Sequence, residues 1–320
     1  MAIAKFGQYV LLEVHDESGA LVFSTDNLKI DFDIRHITGW SRAKFTITNL
    51  APDTIRKISY GENYLTLKVK LHDGPEHIIA DRMFISNALE EVKVPESIFN
   101  MYCYSKLRRK FLEEQINVKI DSPSLRRVIQ GCLEAAKYKG SVEFVHFPEG
   151  MLDYVPPSPN QIHRGSLITC LKRIGAKGNY RFNVYTVGNK FVLMYKPEAK
   201  NVESTSLFDG EGNIKLKTNN MRSNPKIGPA TLSVISNLDP NIKPATVLDI
   251  SQLLTVGTNT DQKTLEVAEE YLFEKIAGFS KYQVLSVQHK GSNWDSNWMT
   301  QAAATSPTHG TNMPTGKWWE

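Results

Sequence analysis

The feature of this sequence that most constrains its fold is a two-residue hydrophobic alternation through the first third of the chain. From about residue 8 to 112, apolar and polar side chains alternate, most clearly over residues 28–35 and 65–72. This period places one side of each segment on a core, which is typical of half-buried β-strands. Turn residues divide the region into about six or seven strands, with one short helix predicted at residues 53–58. We therefore expect a closed barrel or a small sandwich.

The hydrophobic period changes in the middle of the chain to that of an amphipathic helix. Ser122 and Pro123 are predicted to be the cap and the first residue of one helix, and a second helix is predicted after a proline-rich connector at residues 155–159. The apolar positions of the two helices are Leu125, Val128, Ile129, Cys132 and Leu133, and Leu167, Ile168, Leu171 and Ile174. A hairpin is predicted to turn at residues 188–189. Residues 114–200 are thus expected to form an α+β module inserted between β-rich parts.

The C-terminal part of the sequence is rich in turn residues and predicts short strands with one helix. The strands are predicted near residues 214–217, 231–234, 245–250 and 282–289. The helix is predicted at residues 261–277, where apolar residues recur on one side. Residues 291–320 are polar, and we expect them to form an extended arm. The chain as a whole is predicted to be mainly β with an α+β insertion.

Composition excludes several functional classes. The 320 residues include 38 Lys and Arg and 34 Asp and Glu, a net charge of +4. This excess is too small to indicate general affinity for membranes or direct, sequence-specific binding of nucleic acid. We find neither a membrane-spanning segment nor a secretory signal in the sequence. Cys103, Cys132 and Cys170 lie in apolar surroundings, so we expect them to be buried and unpaired in a protein made in a reducing cytoplasm.

The sequence predicts no catalytic, cofactor-binding or metal-binding residue. Its eight histidines lack paired metal-ligand spacing, and no GxSxG motif or glycine-rich phosphate loop occurs. Cys170 lies on the apolar side of a predicted helix after His163, a pattern that favours a structural role. Residues 209–213 resemble the start of a calcium loop, but the required Gly and Glu are missing further along. Asp31 and Asp33 share one strand face as a glycosidase pair would, although their regular alternation favours a solvated face.

Tryptophans are concentrated near the carboxyl end of the chain. Trp294, Trp298, Trp318 and Trp319 are four of the five tryptophans. Each can bury roughly 150 to 250 Å² on contact, so we consider these four as candidate partner-docking residues. The alternatives for Trp294 and Trp298 are packing on the chain's own second barrel and a platform for stacking sugars.

Two segments carry a resemblance to known proteins. The strand ending at residues 45–50 and the helix at 53–58 resemble phage tail proteins built on the tube-type barrel. The strand at residues 282–289 continues through the turn His289-Lys-Gly to a Trp-containing segment. This arrangement is similar to the end of many phage baseplate hub proteins. The order of β module, α+β insertion and β module also matches the baseplate hub family of tailed bacteriophages.

The resemblance implies two tail-tube-like β-barrel modules flanking a helix-and-hairpin module. Residues 1–113 would be the first barrel, 114–200 the insertion, 201–290 a second barrel with one helix, and 291–320 the C-terminal arm. Three such chains would form a ring. The implied function is that of a structural virion protein, a hub that links the tail tube to the central spike in the baseplate, with synthesis in the host cytoplasm.

The resemblance also implies a set of partners. They are two further copies in a homotrimer, the tail tube or a tube-initiator protein, the central spike protein and other baseplate proteins, and no cofactor is implied. The alternative function is a hydrolase or binding module for cell-envelope carbohydrate or peptidoglycan. It would depend on Asp31 and Asp33 or on stacking at Trp294 and Trp298, whereas the missing catalytic motifs favour a non-enzymatic protein.

Overall fold

The computed structural model describes most of the chain. The described residues are 8–59, 61–71, 74–93, 95–120, 124–148, 150–153, 161–177, 182–187, 190–195, 213–227, 231–254 and 280–305. The features predicted at residues 155–159, 188–189 and 261–277 lie outside them, as do Trp318 and Trp319.

Eighteen strands are present in the described part of the chain. They are β1 (Gln8–His15), β2 (Leu21–Thr25), β3 (Ile30–Ile37), β4 (Trp40–Thr48), β5 (Tyr64–Leu71), β6 (Glu76–Lys93), β7 (Glu96–Ser105), β8 (Gln115–Ile120), β9 (Val142–Val145), β10 (Gln161–Ser166), β11 (Phe182–Val187), β12 (Lys190–Tyr195), β13 (Ile214–Lys215), β14 (Lys226–Ile227), β15 (Thr231–Asn237), β16 (Val247–Asp249), β17 (Lys281–Ser292) and β18 (Met299–Thr305). The α-helices are α1 (Pro52–Ser59), α2 (Lys106–Glu113), α3 (Leu125–Ala135), α4 (Leu167–Lys177) and α5 (Ser251–Leu254). None of these helices is long and apolar enough to cross a membrane.

Most strands belong to one sheet of thirteen strands. Its order is β14-β15-β18-β17-β3-β4-β7-β6-β5-β1-β2, with β16 also paired to β17 and β13 paired to β16. The insertion contributes two small sheets, β10-β8 and β11-β12-β9. The prediction of a mainly β fold with some helices is confirmed.

The N-terminal strands form because their alternation buries one face. In β3 the apolar Ile30, Phe32 and Ile34 are buried, while Asp31 and Asp33 between them are partly exposed. Side chains of β1, β3 to β7 and α1 meet in one cluster, which we call the first core. Burial of this apolar surface is the main force that holds the strands together, at about 25 cal/mol for each Å² removed from water.

Strand β17 joins the two β-rich parts of the chain. On one side it pairs with β18 from Gln283 to Lys290, and on the other its N-terminal end pairs with β16. Its N-terminal half belongs to a separate cluster, the third core, which also contains Leu232 and Val234 of β15. Its C-terminal half pairs with β3, so that Val287 lies opposite His36 and Ser292 opposite Asp31. Strands from the two ends of the chain therefore share one continuous ladder of hydrogen bonds.

The insertion has its own cluster of buried side chains, the second core, built from α2, α3, α4 and strands β8, β11 and β12. Helix α3 begins at Leu125, because Ser124 is its cap and its side chain accepts a hydrogen bond from the Arg127 backbone N–H. The predicted cap and first helical residue, Ser122 and Pro123, lie outside the described residues, and the cap that the structure describes is Ser124. Cys132 and Cys170 lie in the second core and Cys103 in the first, all three free and buried as expected.

The insertion packs closely against the β-rich parts. Tyr185 of β11 and Leu285 of β17 belong to one small apolar cluster at this junction. Beside it, the Gly39 backbone N–H donates to the Val184 carbonyl oxygen at 2.7 Å. Residues of the insertion therefore contact the β3–β4 turn and β17 together.

The expected C-terminal arm is wrong for the part that the structure describes. Residues 299–305 form β18, which is paired on one side with β15 and on the other with β17. Ala302 and Ala304 point into the third core. Residues 299–305 therefore form a central strand whose small side chains contribute to a core.

Candidate interaction surface

The structure corrects the expectation that Trp298 docks on a partner. Its side chain is only 1% exposed and belongs to the first core. The ring packs edge-on against Phe32, with centroids 5.6 Å apart, and its Nε1–H donates to the carbonyl oxygen of Ser292. The apolar ring of Trp298 is thus packed, and its N–H group hydrogen-bonded, by residues of the same chain.

Trp294 has a different environment. It is 50% exposed in the turn between β17 and β18. Asn293 holds this turn on the chain, because its side chain accepts from the Ile30 N–H at 2.8 Å and donates to the Leu28 carbonyl oxygen at 2.6 Å. Trp294 is therefore presented to the outside on an anchored turn, and its docking role stays a prediction.

One of the two carboxylates considered for glycoside hydrolysis, Asp33, is engaged in contacts with neighbouring side chains of the sheet. Asp33 accepts hydrogen bonds from Arg35 at 3.0 and 3.1 Å and from the amide of Gln288 at 2.7 Å. Burial raises the pKa of Asp33, but the hydrogen bonds from Arg35 and Gln288, together with the charges of Arg35 and Lys290, hold it below its usual value. A glycosidase acid needs the opposite shift, so this arrangement favours a structural ion pair.

The outer face of the sheet, opposite the first core, carries aromatic and basic side chains in adjacent rows. On β4, Arg42 and Lys44 are exposed while the intervening Ala43 is buried. The register places Tyr104 of β7 opposite Arg42 and Tyr102 opposite Lys44. Because side chains directly opposite one another lie on the same face, these residues form neighbouring pairs.

We call this group the cation–aromatic surface. Its members are Trp40, Tyr64, Phe84, Tyr102, Tyr104, Arg42, Lys44, Lys106 and Arg108. The ring centroids of Tyr64 and Phe84 are 5.7 Å apart, and those of Phe84 and Tyr104 are 5.3 Å apart. The three rings form a continuous row across strands β5, β6 and β7.

Each cation of this surface lies over a ring. The Arg108 guanidinium carbon is 4.2 Å from the Trp40 ring centroid, and Lys106 Nζ is 4.5 Å from that of Tyr64. Arg42 lies 5.3 Å from the Trp40 centroid. Within the described residues, none of the surface's four cations has a carboxylate within salt-bridge distance. The surface therefore carries positive charge that no described residue of the chain neutralises.

A second exposed feature is the far end of the β6–β7 hairpin, residues 86–93 and 95–97, which we call the hairpin tip. Strand β5 pairs with β6 only as far as Phe84, so beyond Ile85 the outer edge of β6 has no described strand beside it. Leu89 is 49% exposed and Val92 is 72% exposed. The tip contains Glu90, Glu91 and Glu96 against Lys93, a net charge of 1 − 3 = −2.

Two buried histidines meet where the insertion and the β-rich parts come together. His36 on β3 and His289 on β17 have ring centroids 6.1 Å apart. His36 Nδ1 lies 2.7 Å from Ser41 Oγ, and this hydroxyl donates to the Thr186 carbonyl oxygen at 2.7 Å. His289 Nδ1 lies 2.9 Å from Thr300 Oγ1. The pair thus connects β3, β17, β18 and β11 through polar contacts.

Both histidines line a cleft of about 440 Å³. Its charged lining residues are Asp81, Glu143, Lys190 and Lys243. Burial lowers the pKa of His36 from 6.5 to about 4 and that of His289 to about 3, and the charge of Lys243 contributes to both shifts. The two rings are therefore neutral at pH 7. No group of three potential metal ligands occurs within the described ranges.

No protein-family model and no curated protein sequence matches the chain. Solved structures do match it. A tail protein from Neisseria meningitidis MC58 superimposes with a TM-score of 0.53 and 8% identity over 92% of this chain and 96% of its own. The 43 kDa tail protein of prophage MuSo2 from Shewanella oneidensis gives 0.51 and 8% over 94% and 98%.

A third match comes from a secretion system. The Escherichia coli c3393 protein, a type VI secretion component with structural similarity to the T4 phage tail proteins gp27 and gp5, gives a TM-score of 0.51 and 10% identity over 88% of this chain and 75% of its own. At such low identity the likeness concerns the fold. The chain therefore has the fold that phage tail proteins share with this secretion component.

Proposed function

We propose that this protein is a structural component of a phage tail, the baseplate hub, in which three copies form a ring between the tail tube and the central spike. The observation that carries the proposal is the likeness to phage tail proteins over almost the full length of both chains, 92% and 96% for the Neisseria protein. A match of this extent includes the N-terminal sheet, the insertion and the C-terminal strands together.

The architecture supports the division into modules that the hub proposal requires. Residues 1–113 and 201–290 would be the two barrels, with residues 114–200 as the insertion. Separate first, second and third cores in the described residues support this assignment. Strand β17 would hold the two barrels in a fixed orientation, since it pairs with strands of both.

A non-enzymatic role is the second part of the proposal. Asp33 is held in an ion pair with Arg35, and the free cysteines are buried, where desolvation raises the pKa of the Cys103 and Cys132 thiols and suppresses the reactive thiolate. Neither arrangement suits nucleophilic or general acid catalysis. The partners would be the tail tube or its initiator, the spike and other baseplate proteins, and the location the virion.

The native mass of the purified full-length chain tests the proposal. We expect sedimentation equilibrium at micromolar concentration to give three times the chain mass of 36.1 kDa. A trimer with no turnover of purified peptidoglycan supports a hub, whereas an active monomer supports the hydrolase alternative. Labelling of a tagged chain at the distal end of purified tails, seen by electron microscopy, would place it in the baseplate.

A further inference from the structure

We propose that the hairpin tip of one copy docks on the cation–aromatic surface of the next copy, and that this contact closes the ring. The inference rests on the proposed function, because it names the surfaces by which three identical chains would assemble. It follows from two exposed features of one chain that are complementary in charge and in apolar character.

The first argument is charge complementarity. Arg42, Lys44 and the two cations on α2 lack a described carboxylate partner, and they lie together on one sheet face. The tip presents three exposed glutamates and has a net charge of −2. Facing patches of opposite sign steer association and fix the register of an interface.

The second argument is apolar surface. Leu89 and Val92 are among the most exposed large apolar side chains of the described residues, and they project from opposite faces of the tip, since they are three residues apart on β6. The row of Tyr64, Phe84 and Tyr104 consists of rings tilted by 58° and 54° against one another, of which Phe84 and Tyr104 are partly exposed and Tyr64 is buried. Aromatic rings carrying stacked cations are suited to contact both aliphatic and carboxylate groups, since the ring packs and the cation pairs.

The third argument is that the glutamates of the tip cannot pair with the cations of the surface in the same chain. The tip lies on β6 and β7, and the surface includes Phe84, Tyr102 and Tyr104 of the same two strands beside its members on β4, β5 and α2. Ile98, which is opposite Glu91, is six residues along β7 from Tyr104, a separation of roughly 20 Å at 3.3 Å per residue. The base of the tip adjoins the surface, since Asn87 is opposite Tyr102, but the glutamates further along the hairpin are kept away from the cations of their own chain. They can pair with these cations only in another copy. Two different patches on each copy give a head-to-tail contact. Such contacts form a closed ring when a whole number of rotations from one copy to the next makes a full turn.

The unpaired edge of β6 adds a reason for the tip to be covered. Beyond Ile85, whose N–H donates to the Asn63 carbonyl oxygen at 3.0 Å, no described strand uses the outer edge of β6. Exposed strand edges promote uncontrolled association unless charges or a partner protect them. Glutamates on the tip provide such protection in the free chain and pairing charges in the ring.

Charge reversal tests this contact. The surface variant is Arg42→Glu with Lys44→Glu, the tip variant is Glu90→Lys with Glu91→Lys, and the combined chain carries all four changes. All four side chains are exposed, so we expect far-UV circular dichroism melting of the surface variant to stay close to the wild type. The tip variant should melt somewhat lower, because Glu91 accepts a hydrogen bond from the Asn100 side-chain amide at 3.3 Å. Each double variant should weaken trimer formation at least tenfold by sedimentation, and the combined chain should recover to within about threefold of the wild type.

A matched control reverses two cations elsewhere. Arg56→Glu with Lys57→Glu changes the net charge by the same amount as the surface variant, but on the exposed face of α1. This control variant should leave the trimer unchanged. The wild-type trimer should also weaken when salt is raised from about 0.05 to 0.5 M, because exposed charges are screened.

The possible outcomes separate the inference from the function on which it rests. A wild-type trimer that both double variants preserve overturns this contact and leaves the hub proposal standing. Double variants that dissociate without rescue in the combined chain show that the two patches do not face each other. Salt-dependent DNA binding that only the surface variant abolishes, with the trimer intact, assigns the surface to a nucleic acid instead. A monomeric wild type contradicts the hub and the contact together.

Discussion

The two buried histidines at the junction predict a steep loss of stability in mild acid. Both pKa values are lower in the folded chain than the ordinary 6.5, about 4 for His36 and about 3 for His289. Between pH 6.5 and 4 the unfolded chain therefore binds protons that the folded chain does not. Stability falls as the pH falls through this window and is regained as the pH rises.

The size of the effect follows from the pKa difference. One pKa unit corresponds to about 1.4 kcal/mol, so His36 alone should remove about 3 kcal/mol of the free energy of unfolding by pH 4. His289 adds a further loss, although the two rings are 6.1 Å apart and titrate as a coupled pair. Because domains are stable by only about 5 to 15 kcal/mol, this is a large fraction of the total.

Urea unfolding of the full chain at pH 7.5, 6.5, 5.5 and 4.5 measures the slope, with the fluorescence of the buried Trp298 among the signals. We expect the double variant His36→Gln with His289→Gln to be less stable at pH 7.5 by about 1 to 3 kcal/mol, since polar contacts in a buried site are lost. Its slope between pH 6.5 and 4.5 should be much smaller than that of the wild type. His77→Gln, outside the pair, is the control.

This pH window separates the histidines from the acidic groups. Burial alone would raise the pKa of Asp33, but its hydrogen bonds and neighbouring cations bring it below 3.8, so its contribution to stability is lost only in stronger acid. A wild-type free energy of unfolding that stays constant from pH 6.5 to 4.5 would refute the reasoning. So would a double variant with the wild-type slope.

Two further predictions concern packing. Cys132→Ala and Cys170→Ala should each lower the free energy of unfolding by about 1 to 2 kcal/mol through lost packing and leave the trimer intact. Denaturant melts measure the stability, and sedimentation measures the trimer. Loss of the trimer without loss of stability would show that the cysteine has a role in assembly. Trp298→Ala should cost about 3 to 5 kcal/mol because it empties part of the first core. Trp294→Ala, at a half-exposed position, should change the free energy of unfolding by less than about 0.5 kcal/mol. Equal effects of Trp298→Ala and Trp294→Ala in denaturant melts would contradict the placement of Trp298 in the first core and of Trp294 outside it.

Local patterns in the sequence were sufficient for most individual elements. The alternation at residues 28–35 and 65–72 predicted β3 and β5, and the helical spacing predicted α3 and α4. These patterns succeed because a period reports directly which side chains must face a core. The sequence offered two serines near the start of α3, Ser122 and Ser124, and the structure gives Ser124 as the cap by its hydrogen bond from the Arg127 N–H.

The candidate surfaces depended on long-range pairing that no local pattern contains. Alternation shows which face of β17 is buried, but not that Val287 pairs with His36, about 250 residues earlier in the chain. The cation–aromatic surface likewise exists only because the register places Tyr104 beside Arg42.

The sequence by itself therefore determined the class of fold and the elements, because secondary structure follows from the period of the apolar residues. The tertiary structure decided that Trp298 fills the first core, that beyond Ile85 no described strand pairs with the outer edge of β6, and that His36 meets His289. Strand partners and register are chosen by the packing of the whole sheet, since a strand of given period can satisfy its core face beside several neighbours.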